Sequence, residues 1–408
     1  MRILLITDSY PPEIRSASHL MYELAEELTA RGHGVTVLTA FPRYNLTVDL
    51  EGRIRDYPVV SEEKGIRVVR IKTLPIHNVN HVVRGLGQLS LPFLFLCGGR
   101  IAGPQDISVV YSPPLPLGLA AYFIEKTKGS PFILNVQDLF PQNAIDLGAL
   151  KQAALIKFFK RMEHFIYRKA KHITVHSGGN RDYILSMKIN SDKVSVLHNW
   201  VNLEEFKNDG IPNFVREKTE FKGKFIVFFG GVMGYAQDLE TVIDCANLLR
   251  SHPKILFLLL GDGAEKKGLM EKSQSLGLRN VKFLPFVSKE EYPIWVHAAD
   301  VGLVTLKRSM NTPVVPSKIL GFMAAGKPIL ASLNTESDGI RIVEEGKFGI
   351  NVPAGDPLAM ADAILKLLAN EEEGRKMGQR GRLYAEKNFS RTACVTQYEE
   401  IFKNLLKD

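Results

Sequence analysis

Cysteine and tryptophan are scarce in this 408-residue chain, with three and two copies. Cys97, Cys245 and Cys394 lie far apart and form no CxxC or Cys/His spacing, which excludes a disulfide framework and a structural zinc site. They read as small buried hydrophobes in a reducing compartment. Long apolar runs are also missing. The most lipid-like stretch, GLGQLSLPFLFLCGG at 85–99, is too short for a span and is broken by Gln88, Pro92 and its glycines, so insertion across a bilayer is excluded but contact with one is not. The opening MRILLITDSY runs straight into a polar loop with no small-residue cleavage pattern behind it, so no secretory signal is expected. There is no Walker A, HExxH, GxSxG or DxD sequence. Kinase, metalloprotease, serine-hydrolase and metal-chelated diphosphate readings lose their support, and neither metal nor cofactor is expected.

What is present is ordinary for a soluble globular protein: 45% hydrophobic and 24% charged residues. At roughly 100–200 residues per domain, the length suggests two or three domains. Acid is the scarcer sign, with 44 Asp+Glu against 52 Lys+Arg and a net charge of +8. The imbalance is local. Residues 1–200 hold 24 basic and 17 acidic side chains, the remainder 28 and 27. Such an excess attracts nucleic acid, anionic lipid or phosphorylated substrates. Nucleic acid is the weakest of these, because neither an aromatic, single-strand-binding arrangement nor a helix-turn-helix signal accompanies the charge.

Strand and helix signals alternate twice along the chain. MRILLITD is a buried strand; residues 18–31 place Leu20, Leu24 and Leu28 on one helical face and stop at Gly32; 35–40 is a second strand. IRVVRI, ISVVYS, FILNVQD, HITVHS and KVSVLHN follow. After a polar connection at 206–222 the pattern restarts with KFIVFFGG, ILFLLLGDG, VKFLPFV, DVGLVTL and KPILAS, and a helical tail at 357–408 breaks near Phe389–Ser390. Apolar strands separated by helices predict an α/β fold of two doubly wound Rossmann-like domains, 1–205 and 206–388, with a C-terminal helix at 389–408 returning to the first. A cleft between them would take ligands on loops that follow strands.

Five such stretches matter. DSYPPEIRSASHL at 8–20 is stiffened by Pro11 and Pro12, and Ser16 or Ser18 can cap the helix that follows; it reads as a phosphate or sugar contact or as a rigid turn. In FFGGVMGYAQDLE at 228–240, Gly230, Gly231 and Gly234 let backbone approach an anion, without the GxGxxG of a dinucleotide site. LLLGDGAE at 258–265 is a tight turn or a base pocket around Gly261 and Gly263. VVPSKILGFMAAGKPILAS at 314–332 predicts a short helix from Pro316–Ser317 to Gly326, whose N-terminus and Lys318 suit a diphosphate. In NVQDLFPQNAIDLG, Asp138 ends a buried strand as either a loop cap or an acceptor-binding group. Lys157, Lys160, Arg161, Arg168, Lys169 and Lys171 run through an aromatic-rich helix, as a solvated face or a basic amphipathic membrane contact.

Together these residues resemble the family 4 GT-B retaining glycosyltransferases. The resemblance runs through PPE at 11–13, ELAEELTARGHGVTVLT at 23–39, FFGGVMGYAQDLETVIDCA at 228–246, LLLGDGAEKKGL, the PSK-to-AAGKP stretch and FGINVPAGDPLAMADAI. FPRYN at 41–45, HNWVNLEEF at 198–206 and MGYAQ are similar to the bacterial surface-polysaccharide branch that includes L-fucosamine transferases. The resemblance implies metal-independent, retaining transfer from a nucleotide-diphosphate sugar, UDP-linked, held by the second domain, to a lipid-linked saccharide acceptor on the first. It puts Ser16, Gly231, Gly234, Gln237, Gly261, Asp262, Ser317 and Lys318 around the donor, Glu13, His19 and Asp138 on the acceptor side, and Asp138 and Lys318 in the chemistry. The enzyme would be cytoplasmic and peripheral on an anionic membrane.

Three features of the family pattern are missing. Its two glutamates, with seven residues between them, fall at Pro313 and Gly321; its diphosphate Arg and Lys fall at Val232 and Gln237; its glycines after PPE are Ser16 and Ala17. Lys318 is then the cation left to neutralise a departing diphosphate. A sugar-nucleotide 2-epimerase and a glycoside phosphorylase are rivals of the same fold, and the missing glutamates keep open a non-catalytic nucleotide- or lipid-binding subunit.

Overall fold

The structure is a computed structural model. It describes the chain except residues 14, 43–56, 75–80, 147, 149, 208–213, 218–219, 289, 310–312, 314 and 408, so most of the FPRYN motif and part of the 206–222 connection lie outside the described residues. The chain divides into two compact units, Met1–Asn199 with Cys394–Asp408, and Trp200–Ala393.

The first unit is built on an eight-stranded sheet: β1 (Arg2–Ile6), β2 (Gly34–Ala40), β3 (Val60–Glu63), β4 (Ile66–Ile71), β5 (Ile107–Ser112), β6 (Phe132–Val136), β7 (His172–Val175) and β8 (Val194–Val196). Its order is β3-β4-β2-β1-β5-β6-β7-β8, parallel throughout except for β3 against β4. Strands β5 and β6 are buried at every residue, as expected where helices cover both faces. One face is covered by the His81–Ala102, Leu117–Lys128 and Ala153–Lys169 helices, whose Leu91, Phe95, Ala120, Ile124, Phe159, Met162 and Ile166 join Leu4, Leu38, Val110 and Leu134 in a single core. The C-terminal Arg391–Leu405 helix also belongs to this unit from Cys394 onward. Its Tyr398 hydroxyl accepts a 2.9 Å hydrogen bond from Asn135, and its Glu399 pairs with Arg31 at 2.9 Å and His33 at 2.8 Å.

The second unit carries six parallel strands: β9 (Phe225–Gly230), β10 (Ile255–Leu260), β11 (Val281–Leu284), β12 (Val301–Thr305), β13 (Ile329–Leu333) and β14 (Gly349–Pro353), in the order β11-β10-β9-β12-β13-β14. Two apolar cores lie on its two faces, around Phe228, Phe322 and Phe348 on one and Phe229, Leu259 and Met360 on the other.

Each sheet has one point where strand order reverses, between β1 and β5 and between β9 and β12, and ligands of open α/β sheets bind outside the carboxyl ends there. The β9–β12 ladder spans only Val301↔Val227 and Gly302↔Phe228. Pairing stops short of the carboxyl ends of both strands.

Several local expectations change. The first helix starts at Ser16, with neither Ser16 nor Ser18 capping it: Ser18 lies inside the first turn with its hydroxyl buried. β3 and β14 carry no apolar run to announce them. The helical tail breaks at Asn370, which caps the Glu371–Asn388 helix, as well as near Phe389. The lipid-like 85–99 stretch lies within the 22-residue His81–Ala102 helix, which continues through Pro92. Among the described residues no helix is long and apolar enough to cross a membrane.

Candidate active site

In the second unit, the loops after β9, β10 and β12 interlock. Gly231 N–H donates to Leu260 O at 2.9 Å and Met233 N–H to Asp262 O at 2.7 Å, which joins the first two loops backbone to backbone. Gly231 and Gly261 both hold positive φ, 137° and 142°, and a Cβ on Gly261 would overlap the Gly231 carbonyl. Gly261 is therefore demanded by packing. Gly234 meets no such constraint; its only near neighbour is Val232. From the end of β12, the Thr305 hydroxyl donates to Gln237 O and Lys307 N–H to Ala236 O, fixing the short Tyr235–Gln237 turn against that strand end.

Lys318 enters this arrangement from the next helix. The Ser317–Ala324 helix begins where Pro316–Ser317 predicts, with no side-chain cap on its N-terminus and Ser317 exposed. Lys318 Nζ donates to Gln237 Oε1 at 2.6 Å, lies 4.8 Å from the Phe229 ring centroid, and would sit 3.4 Å from a Cβ on Gly231. Burial lowers its pKa to about 8. Gly231, Gln237, Ser317 and Lys318 are thus together. Asp262 is apart from them: its exposed carboxylate accepts from Gly263 N–H at 2.8 Å and pairs with Lys266 at 3.6 Å.

Gly321 faces two aromatic rings. A Cβ there would lie 3.5 Å from the Phe206 ring and 3.9 Å from Tyr292. These rings meet edge to face with centroids 6.5 Å apart, and burial raises the Tyr292 hydroxyl to about 12. Two aromatic rings occupy the space into which a side chain at 321 would grow.

In the first unit, Asp138 stands two residues beyond β6, open to solvent on one side, with burial raising its pKa and His176 opposing the rise. Ser16 and His19 are exposed. Glu13 is buried and accepts a 2.8 Å hydrogen bond from the Ser9 hydroxyl, with Arg15 3.9 Å away, so its carboxylate braces the loop. The structure adds a residue that sequence reasoning missed. Asp8 follows β1 at the reversal point and is buried; burial lifts its pKa to about 6 against the opposing pull of Arg15 at 3.3 Å. Tyr111 on β5 lies within the fields of both Asp138 and Asp8, which with burial raise its hydroxyl pKa. The available signal was position: Asp8 is the acid at the end of the first strand. No cluster of His, Cys, Asp and Glu able to hold a metal occurs among the described residues.

Residues 211–384 match the family model described as glycosyl transferases group 1, and residues 17–200 match the glycosyl transferase 4-like domain. The chain is 30% identical over 345 residues to a Pseudomonas aeruginosa protein named probable glycosyltransferase WbjE, covering 82% of this chain and 84% of that one. It is 26% identical over 337 residues to WcaI of Escherichia coli K12, named as a colanic acid biosynthesis glycosyl transferase, covering 80% and 82%. Among solved structures, Anabaena Alr3699/HepE in complex with UDP superposes with a TM-score of 0.74 at 16% identity, over 99% of this chain and 100% of that one. With two glycosyltransferase models accounting for both halves and a relative matched along four-fifths of its length, the chain is a glycosyltransferase and belongs to the GT-B glycosyltransferases of family 4.

Proposed function

We propose that this enzyme transfers a sugar, N-acetyl-L-fucosamine or a related amino or deoxy sugar, from a UDP-linked donor to a lipid-linked oligosaccharide in surface-polysaccharide biosynthesis. Transfer is retaining and metal-independent. The second unit holds the donor and the first the acceptor, and the enzyme works at the inner face of the cytoplasmic membrane in peripheral contact with anionic lipid. The colanic acid relative and the UDP complex of the Anabaena neighbour support the pathway and the nucleotide.

The observation that carries the reading is Lys318, a half-buried ammonium beside Gly231 at an uncapped helix N-terminus and at the sheet's reversal point. Backbone N–H groups, the positive helix end and one cation together suit a diphosphate. In the reaction, the acceptor hydroxyl bonds to C1 on the face from which UDP departs. The C1–O bond to the β-phosphate breaks, and a phosphate oxygen of the leaving UDP takes the hydroxyl proton. Lys318 neutralises charge developing on that diphosphate. Asp138 orients the acceptor hydroxyl.

Lys318→Ala is expected to abolish transfer while leaving circular dichroism and melting unchanged. Near-normal turnover in that variant overturns the assignment. Product anomeric configuration by NMR tests retention, and turnover in excess chelator tests metal independence.

A further inference from the structure

The basic helix and the lipid-like stretch lie on one surface. The His81–Ala102, Leu117–Lys128 and Ala153–Lys169 helices share a core on the same face of the first unit's sheet, so their outer sides form one exterior. On His81–Ala102, Leu86, Leu89, Phe93 and Ile101 are exposed, Phe93 at 68% and Leu86 at 60%, and Cys97 is exposed between them. At about 100° per residue these five fall within a third of the helix circumference, opposite the buried Leu91, Phe95 and Ala102. The helix contains no Asp or Glu.

Beside it, Lys157, Lys160, Arg161, His164, Phe165, Arg168 and Lys169 line a shallow groove of about 630 Å³. The one acid of the Ala153–Lys169 helix, Glu163, is fully buried. Leu155, Phe158 and Phe165 are exposed among the cations. Tyr122 of the middle helix packs against the basic part, with its ring 5.3 Å from Phe165 and Lys169 Nζ 5.8 Å away.

We infer that this exterior is a two-part docking surface for an anionic bilayer: the His81–Ala102 stripe enters the acyl boundary, and the Ala153–Lys169 groove receives lipid phosphates. Charge selects that occupant. A second copy of the chain would bring two like-charged grooves together. A bilayer interface offers anionic phosphate beside hydrocarbon, the same pairing in reverse, and stable attachment requires both signals together. The inference deepens the membrane contact in the proposed function and assigns it to residues; the transfer chemistry is independent of it.

The full chain is tested by flotation with vesicles of phosphatidylglycerol and phosphatidylethanolamine, against phosphatidylcholine alone. Binding is expected to the anionic vesicles, to fall at least tenfold in the Arg161→Glu/Arg168→Glu variant, and to fall by a similar factor in Leu86→Ser/Phe93→Ser. Phe93→Trp reports insertion directly: its emission, with wild-type signal subtracted, should shift to the blue on anionic vesicles and be quenched by brominated acyl chains. Equal binding to both vesicle types overturns the groove's role. Vesicle binding without a shift or quenching at position 93 overturns the stripe's role. Concentration-dependent dimers in ultracentrifugation that Phe93→Ser dissolves identify a second copy as the occupant and overturn the inference. Transfer to a water-soluble acceptor analogue should be unchanged in these variants. Its absence from wild type, with vesicle binding intact, counts against the proposed function and leaves the docking surface standing.

Discussion

Lys318 Nζ donates a 2.6 Å hydrogen bond to Gln237 Oε1, which ties the Ser317–Ala324 helix to the Tyr235–Gln237 turn that follows β9. One cation on a neighbouring helix and a neutral amide thus stand together at the end of β9. With burial lowering its pKa to about 8, Lys318 is mostly protonated at neutral pH and loses its charge readily above that. A bound diphosphate favours the protonated form and raises the pKa. UDP affinity should therefore be flat up to about pH 8 and fall above it, by up to about tenfold per pH unit, with proton uptake on binding in the alkaline range. Calorimetry at pH 7 and pH 9.5, in buffers of different ionisation enthalpy, measures both. Lys318→Met should bind about 10–100-fold more weakly at pH 7, the loss of one charge-assisted contact, and show no alkaline fall. An unchanged wild-type affinity at pH 9.5 removes Lys318 from the diphosphate.

Gly261 and Gly234 look alike in sequence and differ in space. Gly261 holds φ 142° with its missing Cβ pointed at the Gly231 carbonyl, whereas Gly234 has open surroundings and φ −108°. Gly261→Ala should destabilise the second unit by about 3 kcal/mol or more, through strain and the displaced loop. Gly234→Ala should change stability by less than about 0.5 kcal/mol. Thermal melts of the two variants side by side decide the matter, and equal melting temperatures contradict the packing described.

Restoring a family glutamate should not restore a contact. At Gly321 an alanine Cβ would meet Phe206 at an ordinary 3.5 Å, but a glutamate would drive its carboxylate against Phe206 and Tyr292. An unpaired buried carboxylate costs several kcal/mol or shifts to its neutral form. Gly321→Ala should fold and turn over; Gly321→Glu should lose soluble yield and melt earlier. A Gly321→Glu protein with wild-type melting and tighter UDP binding would mean the rings yield.

Much of this was legible because buried parallel strands announce themselves. FIVFFG, ILFLLL and VGLVT are apolar at nearly every position, and each is followed by the loop that builds the site. Lys318 was legible because Pro316–Ser317 marks a helix start. Strand β3, VSEE, was not: it has no apolar run, lies antiparallel against Ile66–Ile71 and is held there by pairing such as that of Glu63 with the buried Arg70. The cap at Ser16 or Ser18 failed because a serine in a first turn is ambiguous until its face is known, and Ser18 faces inward. Asp8 was missed because its significance comes from β5 lying beside β1, a relation between residues a hundred positions apart.

Asp8 should leave a signature in the pH dependence of stability. A free aspartate titrates near about 3.9, and burial lifts Asp8 to about 6 in the folded protein. Between those values the native state holds a proton that the unfolded chain has released, so this group's contribution to stability falls as pH rises from about 4 to about 6 and stays low above. The direction is opposite to that of a salt-bridged carboxylate with a depressed pKa. Asp8→Asn keeps the shape without titrating, so it should lack that component. Relative to wild type, the variant should gain on the order of 2 kcal/mol between pH 4 and pH 7. Glu163, which burial also lifts, to about 7, titrates in both proteins and cancels in the difference. Melting of the two proteins across this range is the measurement. If wild type instead gains on the variant as pH rises, the ionised Asp8–Arg15 pair is net stabilising and holds the β1 loop as a salt bridge.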